Sequence, residues 1–338
     1  MRDHDSLELF LQRLTTQHDE YQQLQHKLNG VAQSRCTTIL ESQLAQLPSL
    51  IQNISKMNRY QYRYTLELEV FADCVALHLA CVNHVEFETV CRYPAICQVP
   101  DTFQQTRMIL SQFLQDLYQR LLSSNFRYEV NQKQSRLNQI FASKCEYVDA
   151  LFARYARLVV VRVDLSYLTD VRVDIDQLES DLEYLNNRMK YAPLFNYKVG
   201  HLFKIEYGLD KGLHVHCLFF FDGAKHKGST DWFLAKSIGE YWCDVIVGAY
   251  GQYWNCHDDK ENYERLGLLC IGDIHYTNVR MINNLKQIVE YFCKRQQYIK
   301  PRDKPKMQLI RSGNLPDTDG VKRGAPRKGI VDDVNEKV

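Results

Sequence analysis

No uninterrupted apolar run in the sequence reaches the roughly 20 residues that a helix needs to cross a bilayer, so nothing supports a membrane partner. The pattern of a secretion signal, charged and then apolar, is also missing from the first residues, and a cytoplasmic location is expected. Charge of one sign is lacking too. The 42 Lys and Arg are matched by 41 Asp and Glu, a formal net charge of +1, so any nucleic-acid surface must come from local clustering of cations. Cys-x-x-Cys pairs are absent although the chain has 11 cysteines, which points to reduced thiols rather than a disulfide framework. Cys74, Cys81, Cys217 and Cys293 lie in apolar runs and read as small core residues. Cys243, Cys256, His257 and Cys270 follow no zinc-finger spacing.

What is present is an ordinary globular composition, 45% hydrophobic and 25% charged over 338 residues, enough for two domains. Residues 1–58 carry Leu and Ile at helical spacing and predict two amphipathic helices with a break at Pro48. The stretch from Tyr60 to Val70 fits both a strand and a helical stripe, and is read as helix. A helix capped by Asp101 or Thr102 is predicted through Ile109, Phe113, Leu117 and Leu121, and another from Asn131 to Tyr155. At Arg157 the character changes. RLVVVRVDLSY alternates, with Val159, Val161, Val163 and Leu165 on one face and Arg162, Asp164 and Ser166 on the other. A helix from Asp174 to Lys190, a hairpin, a helix across Thr230 to Tyr250, a strand from Leu268 to His275 and a helix from about Arg280 to Ile299 follow. The aromatic residues of Thr230 to Tyr250 read as core packing. The fold class expected is α+β, helices packed on a largely antiparallel sheet and preceded by a helical N-terminal region.

The hairpin Tyr197 to Phe221, YKVGHLFKIEYGLDKGLHVHCLFFF, concentrates the potential chemistry. His214 and His216 share a strand face, and if the turn is centred so that Tyr207 meets Leu213, Glu206 stands opposite His214. Two imidazoles and a carboxylate then converge, the ligand types of a divalent metal site with open positions. The same residues can also merely satisfy local hydrogen bonds, or form the triad of a non-haem iron enzyme or a hydrolytic zinc site. On the last predicted helix, Tyr291, Lys294 and Tyr298 follow one another along one face. Lys294, Arg295, Lys300, Arg302, Lys304, Lys306 and Arg311 have only Asp303 against them, an excess suited to a phosphate backbone. From Ser312 onward, Pro, Gly and mixed charges predict a flexible tail.

LVVVRVDLSY, FKIEYGLDKGLHVHCLFFFDG, IGEYW and YFCK resemble, in that order, the inovirus gene-two-type and YagK/YfjJ-type proteins of filamentous phages and prophages. Through them the chain resembles the HUH endonucleases, which include rolling-circle replication initiators and relaxases. The resemblance spans about residues 135–312. It implies an HUH/Rep-like antiparallel sheet, Mg²⁺ or Mn²⁺ held by His214 and His216 with Glu206 as third ligand, Tyr291 as nucleophile and Lys294 as a cation near the phosphate. The partner it implies is a single-stranded or supercoiled phage or plasmid origin, with a host helicase and polymerase. Arg295, Lys300, Arg302, Lys304 and Lys306 become candidate DNA contacts. Three segments are expected: a helical region 1–130 of open role, an HUH-like nuclease domain 131–311 and the tail 312–338. A non-catalytic DNA-binding protein on the same fold is the alternative.

Overall fold

The computed structural model describes residues 2–29, 38–55, 59–60, 62–94, 101–208, 211–226, 230–293 and 300–316. The chain divides into two compact units, Met1–Arg136 with Ile299–Pro305, and Leu137–Tyr298 with Lys306–Val338.

The first unit contains α1 (Arg2–Thr16), α2 (His18–Leu28), α3 (Ile39–Leu44), α4 (Leu47–Ser55), the short β1 (Tyr62–Arg63), α5 (Leu66–His78), α6 (His84–Arg92) and α7 (Asp101–Leu122). Its helices start where the sequence supplies caps. Thr38 accepts from the Glu41 amide, Thr65 from Leu68, and Asn83 from Val85 and Glu86, each satisfying donors that a helix start leaves open. The ambiguous Tyr60–Val70 stretch resolves at Thr65: the two-residue strand lies before the cap and the helix after it. The central α7 packs against α1, α2, α5 and α6. Leu110, Phe113, Leu114 and Leu117 of α7 are fully buried, with Phe71 edge-on to Phe113 at 5.8 Å. Lys27 and Glu41, both buried, pair at 2.7 Å.

Helix α8 (Ser124–Arg154) begins in the first unit, and from Leu137 its residues belong to the second. The second unit continues with β2 (Arg157–Tyr167), α9 (Ile175–Arg188), β3 (Lys198–Gly208), β4 (Gly212–Asp222), α10 (Asp231–Tyr241), β5 (Gly251–Asn255), α11 (Lys260–Arg265), β6 (Gly272–His275) and α12 (Val279–Phe292). After the first-unit strand β7 (Lys300–Pro301), which pairs with β1, comes β8 (Ile310–Ser312). The sheet order is β5-β2-β4-β3-β8, and β6 also pairs with β2. Every pairing is antiparallel, so the architecture is mixed α+β with helices on the sheet.

Period-two alternation fills both faces. Val159, Val161, Val163 and Leu165 of β2, Phe203 and Ile205 of β3, and Val215, Cys217, Phe219 and Phe221 of β4 meet Leu178, Leu182 and Leu185 of α9 and Ala235 and Ile238 of α10. On the other face Leu158, Val160, Leu202, Leu218 and Phe220 pack with Val148 and Leu151 of α8 and Leu285, Val289 and Phe292 of α12. Being covered on both faces explains the near-continuous apolar run of β4.

Several boundaries differ from the sequence expectation. The helix after the hairpin ends at Tyr241, gives way to a π turn at Trp242–Ile246 and a 3-10 turn at Gly248–Tyr250, and is followed by β5, a strand that the aromatic spacing concealed. Gly248 makes this break possible, at φ 71°. The strand expected from Leu268 begins only at Gly272. Helix α12 ends at Phe292, where the amide of its C-cap, Cys293, bonds back to Val289 and Glu290, and the remainder of the helix expected through Ile299 lies outside the described residues. Tyr298, with Lys294 and Arg295, lies outside the described residues. Ser312, expected to open the tail, instead pairs with Leu202 as the end of β8.

Gly239 on α10 is a test of packing against propensity. In an exposed helix Gly→Ala gains up to about 1 kcal/mol. Here a Cβ would run into the ring of Tyr253, so Gly239→Ala should instead destabilise the protein by about 1–3 kcal/mol, read as a lower urea midpoint.

Candidate metal centre

The β3–β4 hairpin pairs Gly208 with Gly212, Tyr207 with Leu213, Glu206 with His214 and Lys204 with His216. The turn-centred register read from the sequence is the one observed, with Gly212 holding φ 65° at the turn. β2 lies on the other side of β4 and sets Asp164 opposite His216 and Ser166 opposite His214. Cross-strand partners share a face, so Lys204, Glu206, His214, His216, Asp164 and Ser166 form two adjacent rows on one side of the sheet.

Ligand atoms of Glu206, His214 and His216 all lie within 4.8 Å of one another. His214 and His216 are 6% and 8% exposed, their rings edge-to-face with centroids 5.0 Å apart. The tautomers follow from the neighbours. Nδ1 of His214 lies 3.0 Å from the Gly212 carbonyl oxygen, which can only accept, so Nδ1 carries the hydrogen and Nε2 keeps its lone pair. Nδ1 of His216 is 2.9 Å from Asp164 Oδ1, a charge contact too poorly aligned for a directed hydrogen bond, and its Nε2 is 3.1 Å from Glu206 Oε2. Glu206, an ionised carboxylate, can only accept, so in the metal-free protein Nε2–H of His216 donates to it, and a bound cation would take the place of that hydrogen while Nδ1–H still faces Asp164. That is the arrangement in which a second carboxylate orients a metal-bound imidazole. The donor set therefore fits a divalent cation: two Nε2 atoms and one carboxylate as ligands, with Asp164 behind one of them. Cys217 stands on the opposite sheet face, and among the described residues the ligand cluster is made of Glu206, His214 and His216, without a thiol.

The electrostatics of the cluster agree. Burial, helped by His216, pushes His214 below its ordinary value and keeps it neutral. Burial would also lower His216, but the charges of Asp164 and Glu206, with the hydrogen bond to Glu206, outweigh it and hold the ring above its ordinary value. Burial opposes ionisation of both carboxylates, and the imidazoles outweigh it, so Asp164 and Glu206 are shifted down.

Asp164 and Lys204 are site residues that the sequence reading missed. The polar face of β2 named Asp164, but only the strand order shows that this face adjoins His216. Lys204 is fully buried beside Glu206, and burial depresses its ammonium to about 8. Tyr291 occupies the last turn of α12 and is half-buried. The next residue, Phe292, stacks on His216 at 5.7 Å and 22°, with the Tyr291 ring 6.5 Å from that of Phe292. The candidate DNA contacts are less uniform. Arg302, in the first unit, is 3.1 Å from Glu69 and donates to the Arg59 carbonyl at 2.6 Å. Lys300 donates to the Pro305 carbonyl at 3.1 Å, Lys304 is half-buried, and Lys306, in the second unit, is exposed. Arg311 pairs with Glu179.

An antiparallel α+β unit with an assembled His/Glu cluster defines a class with a candidate metal site, and the family then follows. The model of the YagK/YfjJ C-terminal domain matches residues 122–304, more than half of the chain, and the chain belongs to this prophage-type family. No curated protein and no solved structure matches it. Among the described residues no helix is long and apolar enough to cross a membrane.

Two outcomes follow for the cluster. Asp164→Asn should weaken Mn²⁺ binding by roughly 10–100-fold in calorimetric titration, because the charge behind His216 is lost while the ligands stay. Since His216 is held above its ordinary value, Mn²⁺ must displace its proton, so affinity should rise with pH and level off above the raised value. In the metal-free protein the charged His216 contributes stability that is complete below the unfolded value of about 6.5 and is lost as pH rises through the folded one.

Proposed function

We propose that the chain is an HUH-type nuclease of phage or prophage rolling-circle replication, which nicks and rejoins single-stranded DNA. The observation that carries this reading is the convergence of Glu206, His214 and His216, whose ligand atoms all lie within 4.8 Å of one another. Tyr291 supports it, on a helix whose adjoining residue rests on one of those imidazoles. Glu206, His214 and His216 would hold Mg²⁺ or Mn²⁺, which supplies charge to polarise a scissile phosphate and offset the charge developing on it.

A phenol is a weak nucleophile near neutral pH, with an ordinary pKa of about 10, so a tyrosine needs a polarised phosphate beside it. In the proposed reaction the Tyr291 oxygen bonds to phosphorus as the bond to the 3′ oxygen breaks, leaving a 5′-phosphotyrosyl link. The 3′-hydroxyl released can prime a host polymerase once a helicase has opened the duplex, and its attack on the link rejoins the strand. Lys294 would neutralise phosphate charge beside Tyr291, and Arg295, Lys300, Arg302, Lys304 and Lys306 would contact the backbone. A protein that binds DNA on this fold without cutting it is the second reading, and it predicts no covalent product.

Incubation with single-stranded DNA of the resident element and Mn²⁺, followed by denaturing electrophoresis, separates the two. Wild type should form a covalent protein–DNA adduct. Tyr291→Phe should form none while still binding DNA and Mn²⁺, and His214→Ala/His216→Ala should lose metal-dependent cleavage with Tyr291 intact. Lys294→Ala should lose only part of the rate. An adduct in Tyr291→Phe would move the nucleophile to another residue, Tyr298 first, and no adduct from wild type on any phage or plasmid origin would sink the nuclease reading.

A further inference from the structure

The row that holds His216 does not end at Asp164. β5 pairs with β2 so that Asp164 faces Trp254 and Ser166 faces Gln252. Since partners share a face, Trp254 and Gln252 stand on the same side of the sheet as Glu206, His214 and His216. The intervening residue confirms the alternation: Tyr253 packs into the opposite layer with α9 and α10. Neighbouring strands lie about 4.8 Å apart, so Trp254 is two strands, roughly 10 Å, from His216.

Cover differs along the row. At β4 the face is closed by Phe292, whereas at β5 Trp254 is 54% exposed and Gln252 is also exposed. A large indole left in water on an edge strand buries little for the fold. The other tryptophans have internal partners: Trp242 is buried and donates to the Ser166 carbonyl at 2.8 Å, and Trp232 donates to Asp258 at 2.7 Å. Immediately beside Trp254 the strip carries the hydroxyl of Ser166 and the amide of Gln252, and exposed Leu168 and Tyr250 follow one pair further on, where the Leu168 amide donates to the Tyr250 carbonyl at 2.9 Å. An indole flanked by hydrogen-bonding groups, even with these neighbours, offers too small an apolar area for a stable protein interface, but the ring is the size of one nucleobase.

We infer that Trp254 is a stacking platform for a base of single-stranded DNA lying along this sheet face, with Gln252 and Ser166 beside it. A strand whose phosphate reaches the Glu206/His214/His216 cluster would carry a neighbouring base over Asp164 to the indole. The assignment rests on the nuclease reading for its choice of ligand, yet it concerns binding and not cleavage.

The test is anisotropy of a fluorescein-labelled single-stranded oligonucleotide of mixed sequence, titrated with the full chain in EDTA so that cleavage plays no part. Trp254→Ala should weaken binding about tenfold, while Trp254→Phe, which keeps a ring, should stay within about threefold of wild type. Gln252→Glu, which adds negative charge to the strip, should also weaken binding, and circular dichroism should show all three variants folded. The inference is overturned if Trp254→Ala binds as wild type does, or if wild type binds no single strand. Should Trp254→Ala weaken binding although wild type never forms an adduct, the platform stands and the nuclease reading falls. Should adducts form while Trp254→Ala binds normally, the reverse holds.

Discussion

A slip of β4 by one residue against β3 would rotate His214 and His216 into the layer under α9 and α10 and put Val215 and Cys217 beside Glu206. The candidate centre depends on that register before it depends on any ligand chemistry. Two things secure it. The turn closes on the Gly208–Gly212 pair, with Gly212 in a conformation that a side chain would strain, and both faces of β4 are buried, so every residue from Leu213 to Phe221 has only one favourable side. The Gly212 carbonyl then takes the Nδ1 hydrogen of His214, so the turn that sets the register also sets one tautomer.

Placing charges inside a helix-covered sheet is costly unless they compensate one another. Here cations and carboxylates alternate across the strands: Lys204 and Glu206 on β3, Arg162 and Asp164 on β2, with His216 between the two carboxylates. A second polar cluster supports the same strand from its edge. β5 and β6 pair with opposite ends of β2, at Val163–Tyr167 and Arg157–Val160. His257 fills the gap, accepting the Arg162 amide at 3.2 Å on Nε2 and facing Asp231 at 2.9 Å through Nδ1. Lys260 donates to the same carboxylate at 2.8 Å. The backbone next to Asp164 thus keeps a partner where no strand supplies one.

Local pattern made the hairpin legible: its glycines fix the pairing, alternation fixes the faces, and Glu206, His214 and His216 come together without any distant information. Asp164 was visible as one polar residue of a strand, but its meeting with His216 requires knowing that β2 neighbours β4, which periodicity does not encode. Lys204, like Glu206, alternates with the apolar Phe203 and Ile205 as a solvent-facing lysine would, and its burial comes from helices distant in sequence. β5 was hidden because five residues, GQYWN, follow a helix rich in aromatics and share its composition. The end of α12 at Phe292 carries neither Gly nor Pro at the cap, so no breaker in the sequence marks it.

The double burial of β4 has a consequence for how the molecule is made. LHVHCLFFF is β-prone, uncharged when its histidines are neutral and free of proline, the composition of a segment that self-associates when exposed. During synthesis β2 and β3 are already available to shield it, but the outer edge of β3 stays open until Ile310–Ser312 emerges nearly ninety residues later. The stretch that brings the imidazoles together is thus also the one most exposed to misassembly on the ribosome. Truncation before β8 should therefore show itself first as insolubility and only secondarily as lost chemistry.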